Sequence, residues 1–188
     1  MCENVLGAGN QQERQECLAE LYIAGFVDGE GTFHIAFQKA PWTRFGWQII
    51  PEFRVNQHEA SRNVIEMIQQ QLGCGHIKMN HARDLKDHTV VLAVRKRDDL
   101  LNKIIPFFER NRLHTEKRYD FEKFRFIVKA MANSEHLSKN GFEKIVNIAF
   151  TMNAHGSNRK YSVEQIIKNT LESSETIWLD AVHDRCNA

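Results

Sequence analysis

Along the first forty residues the hydrophobic period changes once, from helical to strand-like, at Gly31. From about Gln12 to Val27 the apolar residues recur at helical spacing, and Leu18, Leu21, Tyr22, Gly25 and Phe26 share one stripe, which predicts a helix. Gly25 and Gly29 are four apart, so both lie on one face and would let another backbone approach closely. After Gly31 the period is two: Phe33, Ile35 and Phe37 alternate with Thr32, His34, Ala36 and Gln38, as in a half-buried strand. A loop with Pro41, Trp42, Arg44, Phe45 and Gly46 leads to a second alternating run, Trp47 to Gln57. There Gln48, Glu52, Arg54 and Asn56 oppose Ile49, Phe53 and Val55. Pro51 has no N–H for a ladder, so this strand is expected to bend or be exposed on that side.

The remaining pattern reads as a short amphipathic helix, Ala60 to Leu72, stopped by Gly73 and Gly75. Two strands follow, "HIKMN" and "TVVLAV", joined by a charged loop. A helix capped by Asp98 or Asp99 should reach about Arg110. Phe121, Phe124, Val128 and Met131 mark another, "GFEKIVNIAF" a third, and Ser162-x-x-Gln165 is a capping box opening a last one. The order predicts an α+β domain with an antiparallel sheet, helix-covered on one face, over residues 15–171. Residues 1–14 are expected to be a flexible leader and 172–188 a C-terminal tail.

Composition narrows the class. A chain of 188 residues, 42% hydrophobic and 26% charged, can bury a core and has no apolar run long enough to span a bilayer, so no membrane role is expected. The N-terminus lacks the basic and apolar regions of a secretory signal. Cys2, Cys17, Cys74 and Cys186 form no C-x-x-C pair, so neither a zinc ribbon nor a disulfide framework is expected. His76, His81 and His88 match no common zinc spacing and read as surface histidines. The net charge of +1 hides an asymmetry: both chain ends are acidic, and residues 31–171 carry an excess of Lys and Arg. A basic body suits phosphate binding. The outward side of the expected sheet would display Thr32, His34, Gln38, Gln48, Glu52, Arg54, Lys78 and Asn80, side chains able to read base edges. Every half-solvated sheet also has a polar side, so this display alone decides nothing.

One stretch is more specific. Leu21-Tyr22-Ile23-Ala24-Gly25-Phe26-Val27-Asp28-Gly29-Glu30-Gly31 resembles the signature of the LAGLIDADG homing endonucleases, and the order of elements after it matches that family's domain. The motif occurs once, and the resemblance therefore implies the single-motif branch: a four-stranded sheet saddle, paired as a homodimer across the motif helix through Leu21, Tyr22, Gly25, Phe26 and Gly29.

By the same resemblance Glu30 is the metal-binding acid, where the family often has Asp, and the Gly29 carbonyl assists it. Two such acids meeting across a dyad need divalent cations between them, and oxygen donors with phosphate chemistry point to Mg2+. Asp28 is assigned to supporting the turn, Gln57 to ordering water, and Arg62 to the scissile region. Lys117 is the basic residue nearest the phosphate, with Arg118 as the alternative register. Arg44 would reach outlying bases, and Lys139, Asn158, Arg159 and Lys160 would grip phosphates. Trp42 and Trp47 are expected to pack. The implied activity is site-specific, metal-dependent cleavage of double-stranded DNA at a long pseudo-palindromic site, with no small-molecule cofactor. The alternative is a non-catalytic binder on the same fold, an intron RNA maturase or a DNA-binding regulator, against which the retained Glu30 argues.

Overall fold

The computed structural model describes residues 11–81, 86–153 and 159–168. Helix α1 (Gln11–Glu30) runs without a linker into β1 (Gly31–Lys39), and β2 (Trp47–His58) returns antiparallel to it. A 3-10 turn (Glu59–Ser61) opens α2 (Arg62–Leu72), and β3 (His76–Met79) and β4 (Thr89–Val94) complete one antiparallel sheet ordered β1-β2-β4-β3. Next, α3 (Arg97–Asp99), a π-helical stretch (Leu100–Ile104) and α4 (Ile105–Arg110) run on through right-handed helical backbone. Helices α5 (Lys117–Ala132) and α6 (Lys139–Phe150) follow, and residues 163–168 are helical. The capping box forms as read: Gln165 Oε1 accepts from the Ser162 amide at 2.9 Å, and Ser162 Oγ from the Gln165 amide at 3.2 Å.

The helices cover the face of the sheet that is apolar along every strand. Phe33 is fully buried at its centre, with ring centroids 5.3 Å from Phe53, 5.4 Å from Phe108, 5.2 Å from Phe121 and 5.4 Å from Phe124. Ile23 and Val27 of α1, Ile65 and Ile68 of α2, and Val90, Leu92 and Val94 of β4 join the same core. Burying one such aromatic contributes about 1.5–3 kcal/mol before cavity effects.

One local expectation holds and two change. Pro51, itself buried and in register with Ile35, lacks a ladder partner on its other side, as expected, because β2 pairs with β4 only from Phe53 onward. The first helix begins at Gln11, inside the stretch expected to be a leader, while residues 1–10 and 169–188 lie outside the described residues. Cys17 is disulfide-bonded, against the expectation of unpaired cysteines, and Cys74 is free.

The edge strand β1 is not left bare. Asn153 Nδ2 donates to the Phe33 carbonyl at 3.0 Å and Arg159 Nη1 to the Ile35 carbonyl at 3.3 Å. Such capping blocks addition of a foreign strand.

Candidate functional site

The C-terminal turn of α1 carries two acids with opposite surroundings. Asp28 accepts hydrogen bonds from the amides of His114 (2.8 Å) and Thr115 (3.1 Å) and from the Thr115 hydroxyl (2.6 Å), so it ties the helix end to the segment before α5. Burial pushes its pKa up, but the Thr115 hydroxyl, the two amides and the Lys117 charge outweigh burial and hold the carboxyl below its ordinary range. Glu30 is exposed and takes no hydrogen bond or ion pair among the described residues. An acid at a helix C-terminus opposes the dipole, so a bare one there has no stabilising role in the fold.

Lys117, the first residue of α5, reaches this turn and donates Nζ to the carbonyls of Val27 at 2.9 Å and Gly29 at 3.0 Å. It supplies positive charge where the helix carbonyls have no partner of their own. Burial lowers its pKa, and the neighbouring Asp28, Glu30 and Asp120 charges only partly offset that. Arg118, the alternative, turns instead to Tyr119, its Nη2 donating to the phenol oxygen at 3.0 Å. The pairing of Gly31 with Val55 places Gln57 just past the start of β1, at the sheet end where α1 delivers Glu30. Gln57 Oε1 accepts from the His58 amide at 2.8 Å. Gly31 is required for packing: a Cβ there would lie 2.5 Å from Val27 Cγ1 and 2.8 Å from the Val27 carbonyl oxygen. Gly25 and Gly29 face open space, with nothing within 4 Å of a built Cβ.

The open face of the sheet is a connected polar layer. Glu52 is 4% exposed and accepts from Arg95 Nε at 2.8 Å, with Arg95 Nη2 also 2.8 Å away and Arg54 Nε at 3.4 Å. Arg54 Nη2 donates to Asn80 Oδ1 at 3.1 Å, and Asn80 Nδ2 donates to Asp87 Oδ2 at 3.2 Å. His34 pairs across the ladder with Glu52. Burial, then the charge of Arg159, lowers its pKa; Arg54 and Arg95 add to this and Glu52 opposes it, so the imidazole is neutral at pH 7. Thr32 pairs with Arg54, Gln38 with Gln48, and Lys78 with Val91, so all three lie on this face as expected.

A family model described as "LAGLIDADG endonuclease" matches residues 23–128. The chain belongs to that family. A "Probable intron-encoded endonuclease 3" of Neurospora crassa is 33% identical over 133 residues, which is 69% of this chain and 24% of that protein. The chain thus spans about a quarter of the length of the first curated relatives it matches. Among solved structures, the homing endonuclease I-TnaI is 38% identical with a TM-score of 0.69, covering 81% of this chain and 95% of that one. The archaeal intron-encoded homing endonuclease I-Vdi141I, solved in complex with DNA, is 28% identical with a TM-score of 0.76, covering 85% of this chain and 98% of that one.

Set against the LAGLIDADG motif, the structure brings Gly29, Glu30 and Lys117 together and gives several other expected residues partners within the chain. Arg62 is paired with Glu66 at 2.8 Å, one turn along α2. Arg44 donates to the Leu137 carbonyl at 2.8 Å, so it braces the loop against the segment before α6. Arg159 is half-buried, with Nη2 on the Ala149 carbonyl at 2.6 Å and its guanidinium 4.5 Å from the Phe150 ring centroid. It serves the β1 edge because that edge exposes carbonyls that need donors. Glu52 points to the open face but lies beneath two arginines. Lys139 and Lys160 are exposed, and Asn158 is outside the described residues. Trp47 packs against Tyr161 at 4.8 Å, whereas Trp42 is 80% exposed, contrary to expectation. His76, His81 and His88 belong to no cluster able to hold a metal among the described residues. The residue missed was Arg95; alternation through "TVVLAV" puts position 95 on the face of Val91 and Ala93, a signal that was available.

Proposed function

We propose that the protein is a homodimeric, divalent-cation-dependent, site-specific DNA endonuclease. The observation that supports this most directly is the contrast at the end of α1: Asp28 is saturated by the fold, while Glu30, next but one, is bare and solvent-facing. The donors present, one carboxylate and the Gly29 carbonyl, are hard oxygen ligands of the kind Mg2+ takes. A second copy of Glu30, brought in by a two-fold axis, would add a second carboxylate to a cation held between the two helix ends. The bound cations would activate water and stabilise the phosphorane charge.

The chain's own residues do the rest. Leu18 and Leu21, 66% and 52% exposed, flank the open face of Gly25 and Gly29 on α1, which suits close pairing of two motif helices about a two-fold axis. Lys117 holds a proton beside the same turn and carries positive charge to the phosphate being cleaved. Gln57 orients water at the sheet end. The open faces of two sheets would lie in successive major grooves, with Thr32, Gln38, Gln48, Arg54, Lys78 and Asn80 toward the bases and Lys139 and Lys160 toward phosphates.

The test is selection from a randomised duplex library with and without Mg2+, repeated with Glu30→Gln. Cutting at a long pseudo-palindromic sequence only with the cation, and retention of binding but no cutting by the variant, are the expected results. Binding without cutting by the wild-type protein under every divalent cation would overturn the nuclease reading.

A further inference from the structure

We propose that Glu52 is a positioning residue that presents Arg95 and Arg54 as a fixed pair of guanine readers on the open face. The inference rests on the DNA-binding reading above and adds the element that fixes specificity.

Register sets the geometry. Continuing the β2–β4 ladder one step past Phe53–Val94 puts Arg95 directly opposite Glu52, and the β1–β2 ladder puts His34 opposite Glu52 on its other side. The carboxylate therefore sits in the middle of a row across three strands, 4% exposed, on the side of the sheet away from the core. A buried carboxylate is costly unless paired; here Oε2 is held by Arg95 at 2.8 Å, while Oε1 has no hydrogen-bond partner and lies 3.4 Å from Arg54 Nε. An isolated domain has no need of such an arrangement on an open face, where an apolar or neutral residue would avoid the desolvation.

The consequence falls on the arginines. Arg95 donates Nε to Glu52 Oε2 and rests Nη2 2.8 Å from the same oxygen, which leaves the outer Nη1–Nη2 edge at the end of a half-exposed side chain. Those two groups form the edge that a guanine O6 and N7 accept in the major groove. Arg54 is held by one hydrogen bond, Nη2 to Asn80 Oδ1 at 3.1 Å, while its Nε lies 3.4 Å from Glu52 Oε1 without a hydrogen bond, and its side chain is 30% exposed. Two guanidinium groups with restricted rotamers lose less entropy on binding than two free ones. The acid has a second effect. It removes positive charge from the face, so Arg95 and Arg54 are less available for sequence-independent phosphate contacts. His34, neutral beside them, adds no competing charge.

The experiment compares wild-type protein, Glu52→Gln and Arg95→Lys by selection and sequencing of bound duplexes, with affinity measured at two salt concentrations. The wild type should select a guanine at two positions in each half-site. Glu52→Gln should bind random duplex more tightly and lose about tenfold discrimination at those positions alone, with the remaining positions unchanged. Arg95→Lys keeps the charge and the buried acid's partner, and should relax one of the two positions. If Glu52→Gln does not fold, Glu52→Asp, which keeps the charge but withdraws the carboxylate by one methylene, carries the test and should lose part of the same discrimination at the same two positions. Unchanged preference in a folded variant overturns the positioning role while leaving the DNA-binding reading intact. A wild-type protein that selects no sequence overturns both.

Discussion

The two sides of α1 are built from similar residues and have opposite surroundings. On one side Ile23, Ala24 and Val27 are buried against the sheet and its helices. On the other, Leu18, Leu21 and Tyr22 are at least half exposed, and Gly25 and Gly29 meet nothing. A hydrophobic stripe and small residues on the solvent side of a helix contribute nothing to the folding of one chain. The difference separates residues that specify the domain from residues reserved for something outside it.

Substitutions on the two sides should therefore behave differently. Ile23→Ala leaves a cavity and should cost about 2–5 kcal/mol of stability, read as a lower urea midpoint. Asp28→Asn weakens the tie between the α1 end and the segment before α5 and should cost on the order of 2 kcal/mol; an unchanged midpoint would mean that the Thr115 and His114 contacts do not anchor the turn. Gly25→Ala has free space for its methyl and should raise the stability of the isolated chain by up to about 1 kcal/mol, while pushing two motif helices apart and shifting sedimentation toward monomer. Leu21→Ala should stay within about 0.5 kcal/mol in the isolated chain and also weaken self-association. Equal stability losses from Ile23→Ala and Leu21→Ala would abolish the distinction.

A smaller effect comes from pH. The folded pKa values of His34 and His136 lie below 6.5, each chiefly through burial. Between the folded value and 6.5 the unfolded chain binds more protons than the folded one, so stability rises with pH through that window and is lost as pH falls below 6.5. The urea midpoint should be lower at about pH 5.5 than at about pH 7.5, and His34→Gln should flatten that slope.

Much of the fold was readable because each element kept one period throughout. The change of period after Gly31 placed the start of β1 to within a residue, although α1 runs on to Glu30, past its expected end at about Val27. The alternation of β1 and β2 likewise placed Thr32, Gln38, Gln48 and Arg54 on the open face. Two arginines acquire partners that are distant in the chain. Arg159 looks like a loop phosphate contact until β1 supplies an edge carbonyl 124 positions away. Arg44 looks free until the Leu137 carbonyl arrives beside it. Local pattern carries no information about such partners, because a long side chain is positioned by whichever acceptor tertiary packing brings within reach.

By itself the sequence determined the helix-to-strand turn, the amphipathic periods and the motif that assigns the family, since these depend on side-chain spacing along one segment. Tertiary structure alone decided that Asp28 is a tie and Glu30 is bare, that Lys117 rather than Arg118 meets the helix end, and that Glu52 lies between two arginines. The physical reason is that an ionised group's role is set by which opposite charges and donors surround it. In this chain those neighbours come from the segment before α5, from Lys117 at its start and from Arg95 just past β4, all remote in sequence and adjacent only in the folded domain.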